Sequence, residues 1–302
     1  MSIILAFACA VVYGIADYCG GRASRRTASA TVALIGQTAS LAVGLIVVSV
    51  MSAAVPGWRD WAWGGIAGAA SAVALGAFYY ALSHGAMTVV APITAVTSAA
   101  LPVGFGLLSG ERPSGIAYAG MALAVLAVAL VSGAVGRRHT PTPHLTLGLA
   151  FAAGVGFAVI FVALGRTSHA SGMWSLVASR LVSIVLMSSF VLATRARRAL
   201  IVEATAAEVI SADTPRSISW SYVQLWRLAL LAGALDMGAN VLYLLAVRRG
   251  LLSIVVVVAA LYPVSTVCLA FGLDRERVSR SQALGMVLAI GALVMVSLAH
   301  SS

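Results

Sequence analysis

The chain has 302 residues, 61% of them hydrophobic and 9% charged, with a mean hydropathy of +1.01 and a formal net charge of +10. A soluble globular domain carries about a quarter charged residues, so this chain lacks the polar surface to cover a water-soluble particle, and its composition also excludes disorder, a fibrous repeat and a secreted disulfide scaffold. In a soluble protein a pI of 10.4 would suggest nucleic acid; in a membrane protein the basic excess reports which links face the cytoplasm, and no nucleic-acid partner is expected.

A spanning helix needs about 20 mostly apolar residues. Ten runs qualify: 2–20, 30–51, 61–83, 87–109, 114–135, 145–165, 172–194, 224–247, 251–272 and 280–299. The expected fold is all-α, a polytopic membrane protein of ten transmembrane helices. The N-terminus opens straight into the first run, without a basic segment or cleavage site, and reads as a retained helix rather than a signal peptide. Tyr13 and Asp17 lie in this run, beside Gly20, Gly21 and Arg22. Asp17 either titrates within a cavity or caps Arg22 at the interface. The second span holds Gln37, an uncharged cavity candidate. Trp58, Trp61 and Trp63 open the third at the membrane interface, where an indole keeps its ring in lipid and its N–H wet. That span ends in Phe78, Tyr79 and Tyr80.

Pro92 and Pro102 fall in the fourth span and Pro263 in the ninth. Proline frees a carbonyl and bends the axis, so all three are candidate hinges, although Pro102 and Pro263 are one helical turn out of register between the halves. Gly64-x-x-x-Gly68 and Gly106-x-x-x-Gly110 are expected to permit close helix packing. Glu111 and Glu276 stand at the starts of the fifth and tenth spans, where a carboxylate suits the positive end of the helix dipole.

A charge at the bilayer centre costs about 2.5–3.5 kcal/mol on insertion scales and needs a partner or a wet cavity. Arg180 sits in the seventh span, about 12 Å deep at about 1.5 Å per residue. It either grips an anionic group of a substrate in two places or neutralises Asp236 or Asp17. In the eighth span Asp236, Asn240 and Tyr243 recur at i, i+4 and i+7, which puts them on one helix face, with Gly233 one turn earlier. That stripe reads as a cavity wall with a titratable carboxylate, or as a buried Asp–Arg structural pair. Tyr13, Tyr79 and Tyr262 are the preferred aromatic wall residues, with Phe157, Phe78 and Tyr80 behind them. Cys9, Cys19 and Cys268 lack metal-type spacing and read as small core hydrophobes; no metal and no cofactor are expected.

The two halves repeat. Tyr13, Gly21 and Arg22 match Phe157, Gly165 and Arg166 at an offset of 144, and Gln37 matches Arg180 at 143. Gly68, Gly85, Glu111, Arg112, Ser114 and Gly120 match Gly233, Gly250, Glu276, Arg277, Ser279 and Gly285 at 165. The jump falls at the long link, roughly 195–221. Residues 1–138 and 139–302 are thus two five-helix units. An odd number of spans per unit makes the repeat inverted, an architecture that lets a central site open to each face in turn.

The segment Tyr13-Gly14-Ile15-Ala16-Asp17, the hairpins Gly110-Glu111-Arg112 and Arg275-Glu276-Arg277, and the run Leu261-Tyr262-Pro263-Val264 resemble the EamA repeats of the drug/metabolite transporter superfamily. The resemblance covers nearly the whole chain as two repeats. It implies ten helices around a central cavity, residence in the cell membrane (the bacterial inner or plasma membrane), and movement of a small metabolite or drug, usually outward. It departs in one place: the family often has Arg in both the second and seventh spans, whereas Gln37 occupies the second here. The residues themselves fit a secondary carrier, with Asp236 or Asp17 available to exchange a proton for substrate. An intramembrane enzyme would need a Ser–His pair, an Asp dyad or a metal cluster, and the sequence has no P-loop, GxSG or HExxH; a non-transporting sensor or scaffold would leave Asp236, Asn240 and Arg180 without a purpose.

All 19 basic residues are Arg. Thirteen lie on side A, the face of the links after spans 1, 3, 5, 7 and 9; five lie on side B, and Arg180 is within a span. The positive-inside rule makes side A cytoplasmic and both termini extracytoplasmic, whereas the resemblance implies cytoplasmic termini. The charge count is the reading favoured here. It predicts that alkaline phosphatase fused after Ser302 is active and that a fluorescent protein requiring the cytoplasm is dark there; the reverse pattern would invert the orientation.

Overall fold

Inside a bilayer no water is available to backbone N–H and C=O groups, so an apolar chain must satisfy them within helices. The computed structural model describes residues 1–24, 29–51, 56–84, 87–131, 144–205, 222–274 and 279–301. The described residues form α1 (Ser2–Ser24), α2 (Ser29–Met51), α3 (Trp58–His84), α4 (Met87–Leu108), α5 (Gly115–Val131), α6 (His144–Gly165), α7 (Trp174–Thr205), α8 (Tyr222–Val247), α9 (Leu252–Ala259), α10 (Tyr262–Asp274) and α11 (Arg280–Ser301). Eight apolar segments are long enough to cross a membrane, α9 and α10 counting together as one; two shorter apolar helices, Ile93–Leu108 and Gly115–Val131, complete the ten expected runs. The protein is an all-α polytopic membrane protein. The expected unit boundary at residues 138 and 139 lies outside the described residues.

Three elements differ in detail from the sequence expectation. α4 runs unbroken through Pro92 and Pro102, because a spanning helix tolerates the lost bond where neighbours re-satisfy the carbonyl. The ninth span is broken outright. α9 ends at Ala259, and α10 starts at Tyr262 with Pro263 in its first turn, the position at which a missing N–H costs nothing. α7 continues to Thr205, well past the apolar run, since its Arg, Ala and Glu residues are good helix formers.

The pattern of helix packing is the same when the halves are exchanged. α1 packs on α8 as α6 packs on α3; α1 meets α9 and α10 as α6 meets α4; α2 lies on α8 as α7 lies on α3. α2 also pairs with α7, α4 with α9 and α5 with α11. The helices therefore interleave, and neither half buries its own faces alone. Buried positions are dominated by Ala and Gly, among them Ala6, Ala67, Ala74, Ala124, Ala150 and Ala239, while large apolar residues such as Ile4, Val50, Leu108, Phe190 and Val287 point outward. Lipid offers no hydrophobic drive between helices, so small residues that bring backbones close supply the association. A Cβ at Gly233 would overlap the Gly36 carbonyl, and one at Gly68 the Ser179 carbonyl. Gly64 and Gly68 thus pack α3 on α7 as expected. The second small-residue motif works differently. Gly106 faces Glu111 and Ser253, whereas Gly110 has φ +96° and ends α4: Glu111 N donates to Gly106 O at 3.0 Å and Gly110 N to Leu107 O at 3.1 Å, the paired bonds of a Schellman cap.

Polar contacts tie the halves together on side B. Asp60 accepts from Ser168 N and Ser168 Oγ, both at 2.7 Å, and Arg166 donates to Ser109 Oγ at 3.0 Å. Arg248 supports the same corner by donating to Ser168 O and Gly172 O at 2.8 and 2.7 Å. Burial pushes its guanidinium below the ordinary value, and nearby Asp60 pushes it back up. Glu111 does not cap the fifth span that follows it. It reaches into the other half, where its carboxylate accepts from Leu252 N at 2.7 Å and Ser253 N at 3.0 Å at the start of α9. The dipole argument holds, but for a different helix. Glu276 lies outside the described residues. Replacing Glu111 with Ala leaves two amides without an acceptor and should lower stability by about 1–3 kcal/mol, read as a lower thermal midpoint in detergent; Glu111→Gln, which keeps one acceptor oxygen, should fall between.

Candidate functional site

Four helices converge on the charged residues of the interior. Gln37 and Ser40 lie three residues apart on α2, hence on one face; Arg180 comes from α7, and Asp236 with Asn240 from α8. Arg180 Nη2 forms an ion pair with Asp236 Oδ2 at 2.7 Å, and Arg180 Nη1 donates to Gln37 Oε1 at 3.1 Å. Ser40 Oγ donates to Asp236 Oδ2 at 3.1 Å. Asn240 Nδ2 donates to Asp236 O at 2.8 Å and to Asp236 Oδ1 at 3.3 Å. The carboxylate is thus held by an arginine, a hydroxyl and an amide. This is a charge-assisted network in which planar guanidinium geometry sets the direction of each bond. The pair is uneven: the Arg180 side chain is 6% exposed and that of Asp236 32%. Arg180 Nε is buried without a partner.

Asp17 belongs to the same recess but not to the network. It follows Ala6, Ala10 and Tyr13 on α1 at helical spacing, and Ala6 and Ala10 are buried. Its side chain therefore continues an inward stripe, yet Asp17 is exposed. Accessibility on an inward face marks an opening, about 10 Å from the side A end of α1 at about 1.5 Å per residue. Asp17 is close enough to Asp236 to interact electrostatically. Arg180 engages Asp236 rather than Asp17, and Arg22 Nη1 donates to Tyr18 Oη at 2.7 Å.

α10 is fixed to α1 so that two aromatic rings meet beside Asp17. Thr266 Oγ1 donates to Gly14 O at 3.3 Å and Ser265 Oγ to Ala10 O at 3.1 Å, and Gly14 has no room for a Cβ against Ser265. This places the Tyr13 and Tyr262 rings 6.4 Å apart, tilted by 60°. The break before Pro263 is what delivers Tyr262 at the head of a new helix.

Other expected residues lie elsewhere. Tyr243 shares the α8 face in sequence, but it is fully buried. Its hydroxyl donates to Phe161 O at 2.8 Å and its ring stacks on Phe161 at 4.9 Å. It clamps α8 to α6 instead of lining the recess, because a stripe seven residues long passes from one neighbouring helix to the next. Phe78 and Phe157 pair edge-on at 6.1 Å between α3 and α6. The side chains of Tyr79, Tyr80 and Pro92 lie outside the described residues; Pro102 is buried within α4. Cys9 and Cys19 are buried, and Cys268 is exposed. Sequence reasoning missed Ser40, although its spacing from Gln37 was a usable signal, and missed Ser265 and Thr266, whose hydroxyls carry no periodic signature. Among the described residues no three His, Cys, Asp or Glu side chains come together as a metal-ligand set.

The model of the EamA-like transporter family matches residues 144–298. A solved structure described as "Crystal structure of protein" superposes with a TM-score of 0.72 at 17% identity, covering 98% of this chain and 96% of that one, which establishes the shared fold. No curated protein matches the sequence.

Removing one partner of a buried ion pair strands the other. After allowance for the exposure of Asp236, Arg180→Ala should cost on the order of 2 kcal/mol. Arg180→Ala combined with Asp236→Ala should cost clearly less than the sum of the single changes. Additive losses in detergent thermal unfolding would mean that the pair contributes nothing.

Proposed function

This chain belongs to the EamA-like transporter family, and from that premise we propose that it is a secondary carrier exporting a small organic solute by alternating access, with the recess between α1, α2, α7 and α8 as its site. The observation that carries this reading is the Arg180–Asp236 pair. Both charges sit within spans, where only a partner or water makes them tolerable, and Gln37 and Ser40 of α2 tie this pair of the second half to the first. Asp17, Gln37, Asn240, Tyr13 and Tyr262 complete the surroundings expected of an organic-solute site, a few placed polar groups among apolar and aromatic walls. Tyr79 remains a candidate wall residue, while Tyr243 acts by holding α8 against α6.

Alternating access needs an element with two arrangements. The α9–α10 break before Pro263 is one place where the helical ladder is interrupted and the main chain is able to turn, whereas α4 keeps its ladder through Pro92 and Pro102 and offers a weaker hinge. The polar seam of side B closes that face, while Asp17 keeps the recess accessible from the other. Protons couple to transport through Asp236 or Asp17. A protonated Asp236 loses its charge attraction to Arg180, which frees α7 and α8 to shift, and an ionised Asp236 restores the pair. An acid dyad of the protease kind is disfavoured, since Asp236 is committed to Arg180 rather than sharing a proton with Asp17. By charge distribution, side A faces the cytoplasm; that the bilayer is a bacterial inner membrane rests on the family resemblance alone.

The test begins with the culture medium of overexpressing and deletion cells. At least one metabolite should rise with expression and fall with deletion. Reconstituted protein should move that metabolite, and Asp236→Asn should slow it at least tenfold and flatten its response to an imposed pH gradient. Unchanged transport with unchanged pH dependence would remove Asp236 as the coupling residue, and no differential metabolite across broad growth conditions would count against export.

A further inference from the structure

We infer that the transported solute carries a cationic nitrogen, and that Asp17 is the residue that binds it, with the Tyr13 and Tyr262 rings as its aromatic wall. This rests on the carrier reading above and narrows it to a substrate class.

Charge and access in the recess both favour a cation. Three charged side chains lie in the recess: Arg180, Asp236 and Asp17. Arg180 is almost wholly enclosed, with one terminal nitrogen on Asp236 and the other on Gln37. Both terminal nitrogens are thus engaged within the protein, and Nε, which has no partner, is buried rather than turned to the accessible side. Asp236 is satisfied by Arg180, Ser40 and Asn240. Asp17 alone is both exposed and, among the described residues, without a hydrogen bond or ion pair. With both acids ionised the recess carries one net negative charge in a medium that penalises it. A positive group on the solute cancels that charge, whereas an anion doubles it and raises the penalty further. Specificity of this kind comes from what an unpaired charge repels as much as from what it attracts.

The aromatic placement agrees. Tyr13 precedes Asp17 by four residues on the same face, and Tyr262 stands 6.4 Å from Tyr13, ring to ring. Electron-rich faces beside a carboxylate suit an ammonium or quaternary nitrogen, which gains from the ring quadrupole while the carboxylate supplies the full charge. The Arg180–Asp236 pair then serves as the fixed wall of the site and Asp17 as its variable charge. The groups that face Asp17 from packed elements are Tyr13 of its own helix, Asp236 of α8 and Tyr262 of α10.

The test uses the full chain in nanodiscs with four probes of similar size: phenethylamine, phenyltrimethylammonium, 3-phenylpropionate and phenylalanine. The two cations should bind and raise the thermal midpoint, 3-phenylpropionate should do neither, and phenylalanine should be weaker than phenethylamine. Phenyltrimethylammonium cannot give up a proton, so its binding separates a cation site from a site that takes only protons. Asp17→Asn should weaken both cations at least tenfold without lowering the ligand-free midpoint, and Asp17→Glu should recover part of the loss. Preference for 3-phenylpropionate, equal cation binding by Asp17→Asn, or binding by none of the four would overturn the assignment. Proteoliposome flux distinguishes this failure from that of the carrier reading. If 3-phenylpropionate moves and Arg180→Ala abolishes it, the protein is a carrier with an anion site; if no exported metabolite and no probe of any charge crosses, the carrier reading falls with it.

Discussion

A guanidinium inside a bilayer has to be answered by an opposite charge, and much of this architecture follows from how Arg180 is answered. Its partner, Asp236, is on a different helix, and its second contact, Gln37, is in the other half of the chain. The three residues can meet only if α2, α7 and α8 converge, which requires backbones nearly in contact. Gly36 and Gly233 provide that approach between α2 and α8, and Gly64 and Gly68 provide it between α3 and α7. The small residues of the packed faces and the charged residues of the recess are therefore parts of one solution. Where lipid supplies no drive for association, close packing and one internal charge network hold the halves together.

The same interleaving explains why polar residues at helix ends reach across the repeat. Glu111 leaves its own half to cap α9, and Asp60 leaves α3 to hold the backbone before α7. Such contacts lie at the membrane boundary, where water can replace them more cheaply than in the interior. A face closed by exchangeable polar bonds and a centre held by a charge pair differ in what it takes to open them. In the proposed carrier, this difference is what would let the site persist while its two entrances alternate.

Much of this was readable from the residues. Runs of about 20 apolar residues located the spans, and the i, i+4 spacing placed Asp236 and Asn240 on one face. The isolated charge of Arg180 announced a partner. What spacing could not supply was the neighbour each face would meet. Tyr243 continues the Asp236 stripe yet meets α6 and becomes part of the core, because successive turns of one helix contact different helices. Gly106-x-x-x-Gly110 has the spelling of a packing motif but ends a helix, since Gly110 takes a backbone conformation that only the chain's exit from α4 demands. Ser40 looks like any small residue of an apolar helix until Asp236 is seen beside it. Pro263 signalled a bend, while the contacts from Ser265 and Thr266 to α1 that set Tyr262 beside Tyr13 carried no signal in the sequence.

The central claim is that this recess is the passage and is reached in turn from both faces. The most direct measurement is the reactivity of a cysteine at position 17 toward a membrane-impermeant maleimide. It would be made in a variant lacking Cys9, Cys19 and Cys268, in sealed vesicles of each orientation. Position 17 should label quickly from side A, label more slowly but measurably from side B, and exchange the two rates when the seam at Glu111 and Asp60 is weakened by substitution. Labelling from side A alone under every condition, or from neither face, would contradict a site that alternates.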